Sequence, residues 1–69
     1  MMNMTADPWL IINETERKFS LDNSDGKEKP FNGKESASKR AAGVGVGWRA
    51  ESNGILPDLV MQGWERCHY

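Results

Sequence analysis

The chain alternates between short apolar runs and long polar stretches, and the runs differ in period. The first, Trp9-Leu10-Ile11-Ile12, follows a proline and is rich in β-branched and aromatic residues, which predicts a strand over roughly residues 9–14. A weaker continuation, Lys18-Phe19-Ser20-Leu21, extends that strand or pairs with it. Residues 22–33 crowd Asp, Asn, Ser, Gly, Lys and Pro between two patterned stretches and read as a loop. Asp25-Gly26 is a turn signal within it, Lys29 before Pro30 is biased away from helix, and a short strand is placed near Phe31. Residues 1–7 carry no pattern and read as a loose tail before a single domain over 8–69.

A helix start follows at Asn32-Gly33-Lys34-Glu35. Asn32 is a favoured N-cap, and Glu35 three residues on can return a hydrogen bond to the amide of the cap. Ala37 and Ala41 then share a face, with Glu35 and Lys39 paired one turn apart on the outside. The period of Ala37, Ala41, Val44 and Trp48 is compatible with one long helix. Three glycines oppose it: Gly43, Gly45 and Gly47 would each cost roughly 1 kcal/mol against alanine, about 3 together. The expectation is therefore a helix over 33–42, Gly43 as its left-handed cap, and a strand over 44–50 with Val44, Val46, Trp48 and Ala50 on one face.

Beyond this, Asn53-Gly54 is the strongest short hairpin signal in the chain. Ile55-Leu56-Pro57-Asp58-Leu59-Val60-Met61-Gln62 is expected to return as a strand, with Pro57 marking an edge or bulge. Trp64 to Tyr69 reads as a last short strand. The fold class is α+β: one short helix packed on a small antiparallel sheet in the order β-α-β-β, with an extra short strand allowed.

Composition narrows the function. The chain has 69 residues, so it makes one small domain of marginal stability. Cys67 is the single cysteine, which rules out an internal disulfide and fits a reducing cytosol. The opening residues lack a basic stretch, and their apolar run is too short for a signal or a membrane span. The expected setting is cytoplasmic, and the host cytoplasm for a phage protein. Nine basic and ten acidic side chains leave a net charge of −1, without the basic excess typical of a nucleic-acid coat. Of Trp9, Trp48 and Trp64, two are expected to build the core.

The chemistry of a reaction centre is thin. Cys67 and His68 are adjacent, so on a strand they point to opposite faces, and zinc wants about four ligands. Cys67 reads as a small buried hydrophobe and His68 as an exposed terminal residue. With His68 the sole histidine and so close to the chain end, a positioned general base is not expected. The carboxylate pairs Glu14/Glu16 (placed on one strand face) and Asp22/Asp25 read as solvated charge. The glycines of Gly43-Val44-Gly45-Val46-Gly47 follow a helix, whereas a phosphate loop precedes one. No catalytic residue, metal ligand or cofactor is assigned. The candidates for partner binding are Lys34, Lys39 and Arg40 on the helix and Arg49 on the next strand, projecting opposite to Trp48.

The early apolar Trp9-Leu10-Ile11-Ile12, the helix bearing Ser38-Lys39-Arg40-Ala41-Ala42, the Asn53-Gly54 turn and the closing Trp64-Glu65-Arg66-Cys67 resemble small phage proteins. In particular they are similar to a short anti-CRISPR family acting on type I-F surveillance complexes, which pairs an Ala/Lys/Arg helix with a C-terminal Trp-x-x-Cys strand. The layout also resembles, more loosely, a small phage inhibitor of bacterial RNA polymerase. The first resemblance implies a non-catalytic inhibitor that binds a host protein or ribonucleoprotein complex stoichiometrically, with Lys39 and Arg40 as contacts. The chain departs from that pattern in its glycine-rich 43–47 stretch and its long polar 20–33 loop. Two other expectations stand beside it: direct nucleic-acid binding through Lys34, Lys39, Arg40 and Arg49, and an accessory subunit that oligomerises through an edge strand.

Overall fold

The computed structural model describes residues 8–69; the stretch read as a tail, 1–7, lies outside the described residues. The fold is α+β, as the pattern predicts. Four strands, β1 (Trp9–Asn13), β2 (Lys18–Ser20), β3 (Trp48–Ser52) and β4 (Glu65–Cys67), form one sheet in the order β3-β1-β2-β4. Helix α1 (Lys34–Val44) packs on one face and the short helix α2 (Leu56–Met61) on the other.

The alternation of β1 explains this layering. Leu10 and Ile12 point to one side, where they meet Phe19, Leu21 and Leu59, with Ile55, Leu56 and Trp64 closing the rim. Ile11 points to the other, where it meets Phe31, Ala37 and Ala41, rimmed by Trp9, Val44, Trp48 and Ala50. A continuous apolar run suits a strand buried on both faces, and both faces need a cover. The three tryptophans are rim residues, each half-buried against a cluster; the buried centre is aliphatic, with Phe19 and Phe31 its only aromatics.

Lys18-Phe19-Ser20 pairs antiparallel with β1, joined by the turn Glu14–Arg17, in which the Glu16 amide donates to Asn13 Oδ1 at 3.1 Å. Phe31 does form strand-like contacts: its amide and carbonyl exchange hydrogen bonds with Trp9 at 2.8 and 3.1 Å. A second bridge between Asp22 and Lys29 closes the polar loop on itself, with Gly26 at its turn at φ 83°.

Several sequence expectations change. The helix does not stop at Gly43: it runs to Val44, and Gly45 ends it at φ 153° and ψ 178°, a conformation essentially reserved for glycine. Ala37, Ala41 and Val44 bury one continuous stripe, and that packing outweighs the helix penalty of Gly43. The strand starts at Trp48, and Val46, expected on its inner face, is fully exposed in the turn between. At the other end the cap is Gly33, not Asn32, and no side chain bonds to the free amides.

The Asn53-Gly54 step is not a hairpin. Its chain turns through a single 3₁₀ turn, Asn53–Ile55, with the Gly54 amide donating to Ser52 Oγ at 3.3 Å, and enters α2. Pro57 sits in the first turn of α2, where its fixed φ is favourable and its missing N–H costs nothing. Ile55, Leu56 and Leu59 then face the core at helical spacing, so this segment is a helix and not the expected strand. Because α2 crosses the sheet, the chain reaches the far edge running the same way as β2. The β2–β4 pair is accordingly parallel, and the sheet is mixed where an antiparallel one was expected.

Two glycine substitutions separate these readings by sign. Gly43→Ala, within α1 and with open space around its added methyl, is expected to raise stability by about 0.5–1 kcal/mol. Gly47→Ala, at φ 95° with Asn13 Nδ2 3.2 Å from the new Cβ, is expected to lower it by about 1–2 kcal/mol. Urea titration followed by tryptophan fluorescence measures both.

Candidate functional site

No pocket forms among the described residues, and no group of three or more His, Cys, Asp or Glu side chains among them is placed to hold a metal. No helix among them is long and apolar enough to cross a membrane. The candidate site is therefore a matter of surface.

The four basic residues singled out by sequence do not converge. Lys39 crowns α1, opposite the buried Ala37 and Ala41, and is exposed. Lys34 lies in the first turn with its ammonium 5.9 Å from the ring centre of Trp9. Arg40 turns inward along the flank of α1. Its guanidinium donates to the carbonyl of Tyr69 at 2.8 Å, sits 3.7 Å from Asp22 Oδ1, and lies 5.5 Å from the ring centre of Phe31. Tyr69 is fixed further by its amide, which donates to Ser20 Oγ at 3.0 Å, and by an edge-to-face contact with Trp48 at 5.3 Å. Arg40 thus ties α1, the polar loop and Tyr69 together.

Arg49 lies on the opposite side of the sheet from α1, because it pairs with Ile12, whose side chain belongs to the α2-side cluster. It donates to Glu51 at 2.9 Å and to Glu14 at 3.0 Å, and these carboxylates hold its pKa above the ordinary arginine value. Glu14 and Glu16, placed by sequence on a strand face, sit instead in the β1–β2 turn, paired with Arg49 and Lys18 respectively. The hydrogen bond that Lys18 donates to Glu16 raises the Lys18 pKa. In the polar loop Lys29 donates to Asp25 at 2.8 Å, lowering the aspartate and raising the lysine. On the β4 side Arg66 donates to Glu28 at 2.9 Å and lies 5.4 Å from the ring centre of Phe19. Most of the charge is spent in local pairs.

Cys67 is half-buried, and burial pushes its thiol pKa up. His68 is exposed, its ring 3.9 Å from Glu28.

What the sequence reading missed is the outward side of α2. Pro57, Val60 and Met61 share it at spacings of three and four residues, with Val60 55% and Met61 85% exposed. Reading 55–62 as a strand scattered these residues over two faces; treating Pro57 as a first-turn residue would have gathered them on one.

Compared with models of protein families, with curated proteins and with solved structures, the chain finds no match in any of the three. The anti-CRISPR resemblance accordingly rests on the sequence alone, on Trp9–Ile12, Ser38–Ala42, Asn53-Gly54 and Trp64–Cys67.

Arg40→Gln is expected to cost about 0.5–1 kcal/mol, the range of partly exposed ion pairs, while Lys39→Gln is expected to be neutral. Parallel thermal melts show the difference. At pH 8 the raised thiol leaves Cys67 with less thiolate than a free cysteine, so iodoacetamide is expected to label it slowly in native protein and faster in urea. The same sign makes its contribution to stability full below the ordinary thiol pKa and lost as pH rises through the folded value.

Proposed function

We propose that the protein is a small non-enzymatic binding module that acts by stoichiometric association with a protein partner. The observation that carries this reading is the solvent-facing apolar ridge of Pro57, Val60 and Met61 on α2. Proline, valine and methionine gathered on the outside of a core-packed helix form a ready, desolvatable contact. Because α2 is anchored through Leu59, Leu56 and Ile55, the ridge is held rigidly and little ordering entropy opposes binding.

The specific form of the proposal is a phage-encoded inhibitor that occupies a surface of a host complex, a type I-F CRISPR surveillance complex being the one the sequence resemblance implies. Lys39, exposed at the crown of α1, supplies a charged contact in that reading. Arg40 serves it indirectly, by holding the helix in place. Nucleic-acid binding by a local basic patch is less well supported, because Arg49 and Lys39 are on opposite sides of the sheet.

Gel filtration with the purified surveillance complex is the test. Co-elution at one to one or another fixed ratio is expected, and V60E/M61E is expected to weaken it at least tenfold while leaving the melting temperature unchanged. Failure of the wild-type protein to co-elute removes the specific target. Co-elution that V60E/M61E does not disturb removes the ridge as the contact.

A further inference from the structure

We propose that β3 is the seam of a two-fold homodimer in which the β3 strands of two copies pair antiparallel, centred on Ala50. β3 is one outer edge of the sheet and the longer of its two edge strands, five residues against three in β4. The direction of its free backbone groups follows from the pairing. Trp9 exchanges hydrogen bonds with Phe31, so the backbone of Trp9, Ile11 and Asn13 points away from β3. Leu10 and Ile12 therefore bond to their partners Glu51 and Arg49, and the Asn53 amide continues this alternation by donating to the Pro8 carbonyl at 3.0 Å. Trp48, Ala50 and Ser52 are left facing outward. Among the described residues none bonds to another strand, the one contact being a long 3.5 Å bond from the Trp48 amide to Gly45.

An antiparallel self-pair must match outward groups with outward groups, so its two-fold axis passes through a residue and not between residues. Three centres are available within the strand. Centred on Arg49, two guanidinium groups oppose each other; centred on Glu51, two carboxylates do. Centred on Ala50, each Arg49 faces Glu51 of the second copy, and every cross-strand charge is matched. In that register Ala50 exchanges both its hydrogen bonds with Ala50 of the second copy, and the Ser52 amide meets the Trp48 carbonyl of the other chain. Charges on an edge strand ordinarily discourage pairing; here their order permits one register and opposes its neighbours.

The helices leave room for this. α1 sits above β1 and β3, so across the seam the two copies of α1 stand about two strand spacings apart, ~10 Å, the usual distance of packed helices. The flank of α1 turned away from Arg40 carries Ser38 and Ala42, small, exposed and one turn apart, which lets a second helix approach. The result is a continuous eight-stranded sheet (twice the four strands of one copy) with both α1 helices on one face.

Sedimentation of the purified protein tests the proposal independently of any host partner. The wild type is expected to dimerise with rising concentration. R49E and E51R each place like charges at two symmetric positions and are expected to raise the dissociation constant roughly tenfold. The double variant R49E/E51R is expected to restore the dimer. Mixing R49E with E51R is expected to yield the heterodimer, an all-acidic seam against an all-basic one. Thermal melts of each variant verify folding, and recovery in the double variant or in the mixture separates a pairing effect from loss of the Arg49–Glu14 contact. A wild type that stays monomeric up to millimolar concentration overturns the proposal, as does a dimer indifferent to both single reversals, or a mixture that fails to pair.

Discussion

Everything in this fold hangs on one five-residue strand whose two faces are both dry. Leu10 and Ile11 are fully buried on opposite sides of the sheet, and Ile12 is nearly so. A chain of this size cannot build a deep core, and here it builds two thin ones that share a wall. α1 seals one through Ala37 and Ala41, residues small enough to let the helix backbone lie close to Ile11. α2 seals the other through Leu59 and its half-buried neighbours. Removing either helix would expose one side of β1, so the two clusters depend on each other through a strand that belongs to both.

The legible part of the fold was the part written in local chemistry. The apolar run at Trp9–Ile12, the second strand around Phe19, the polar loop with its Gly26 turn, the body of α1 and the closing strand at Glu65–Cys67 all follow from period and punctuation. What was not legible depended on tertiary contact. Gly43 is a poor helix residue, and only the burial of Val44 against the same cluster as Ala37 and Ala41 draws the helix past it. Asn53-Gly54 is a good hairpin dipeptide in isolation; Ile55, Leu56 and Leu59 override it because the far side of β1 needs a cover. Pro57 was ambiguous, at home at a strand edge and at a helix start alike. Once that segment became a helix, the parallel approach of β4 followed from simple geometry.

The surface was less legible than the fold, for a physical reason. A sequence shows which side chains carry charge but not which of them are already neutralised by a neighbour. Arg40 and Arg49 looked alike as free cations, yet one is bound to Asp22 and the Tyr69 carbonyl, and the other to Glu14 and Glu51. Glu51 is two positions from Arg49, but the other partners are distant in the chain, with Tyr69 29 positions from Arg40 and Glu14 35 from Arg49. The apolar ridge on α2 was hidden by the same error that hid the helix. A misread period puts inward residues outward and outward residues inward, so the fold error and the surface error were one.

The parallel junction of β2 with β4 also constrains the route by which the molecule assembles. The β1–β2 turn spans four residues and closes quickly, whereas joining Lys18–Ser20 to Glu65–Cys67 means bringing together points separated by most of the described chain. Loop-closure entropy must be met before that contact returns any energy, so the last strand docks late. Until it does, β2 presents a bare edge to other unfinished chains, a hazard of intermolecular strand addition that the docking of β4 removes at that strand.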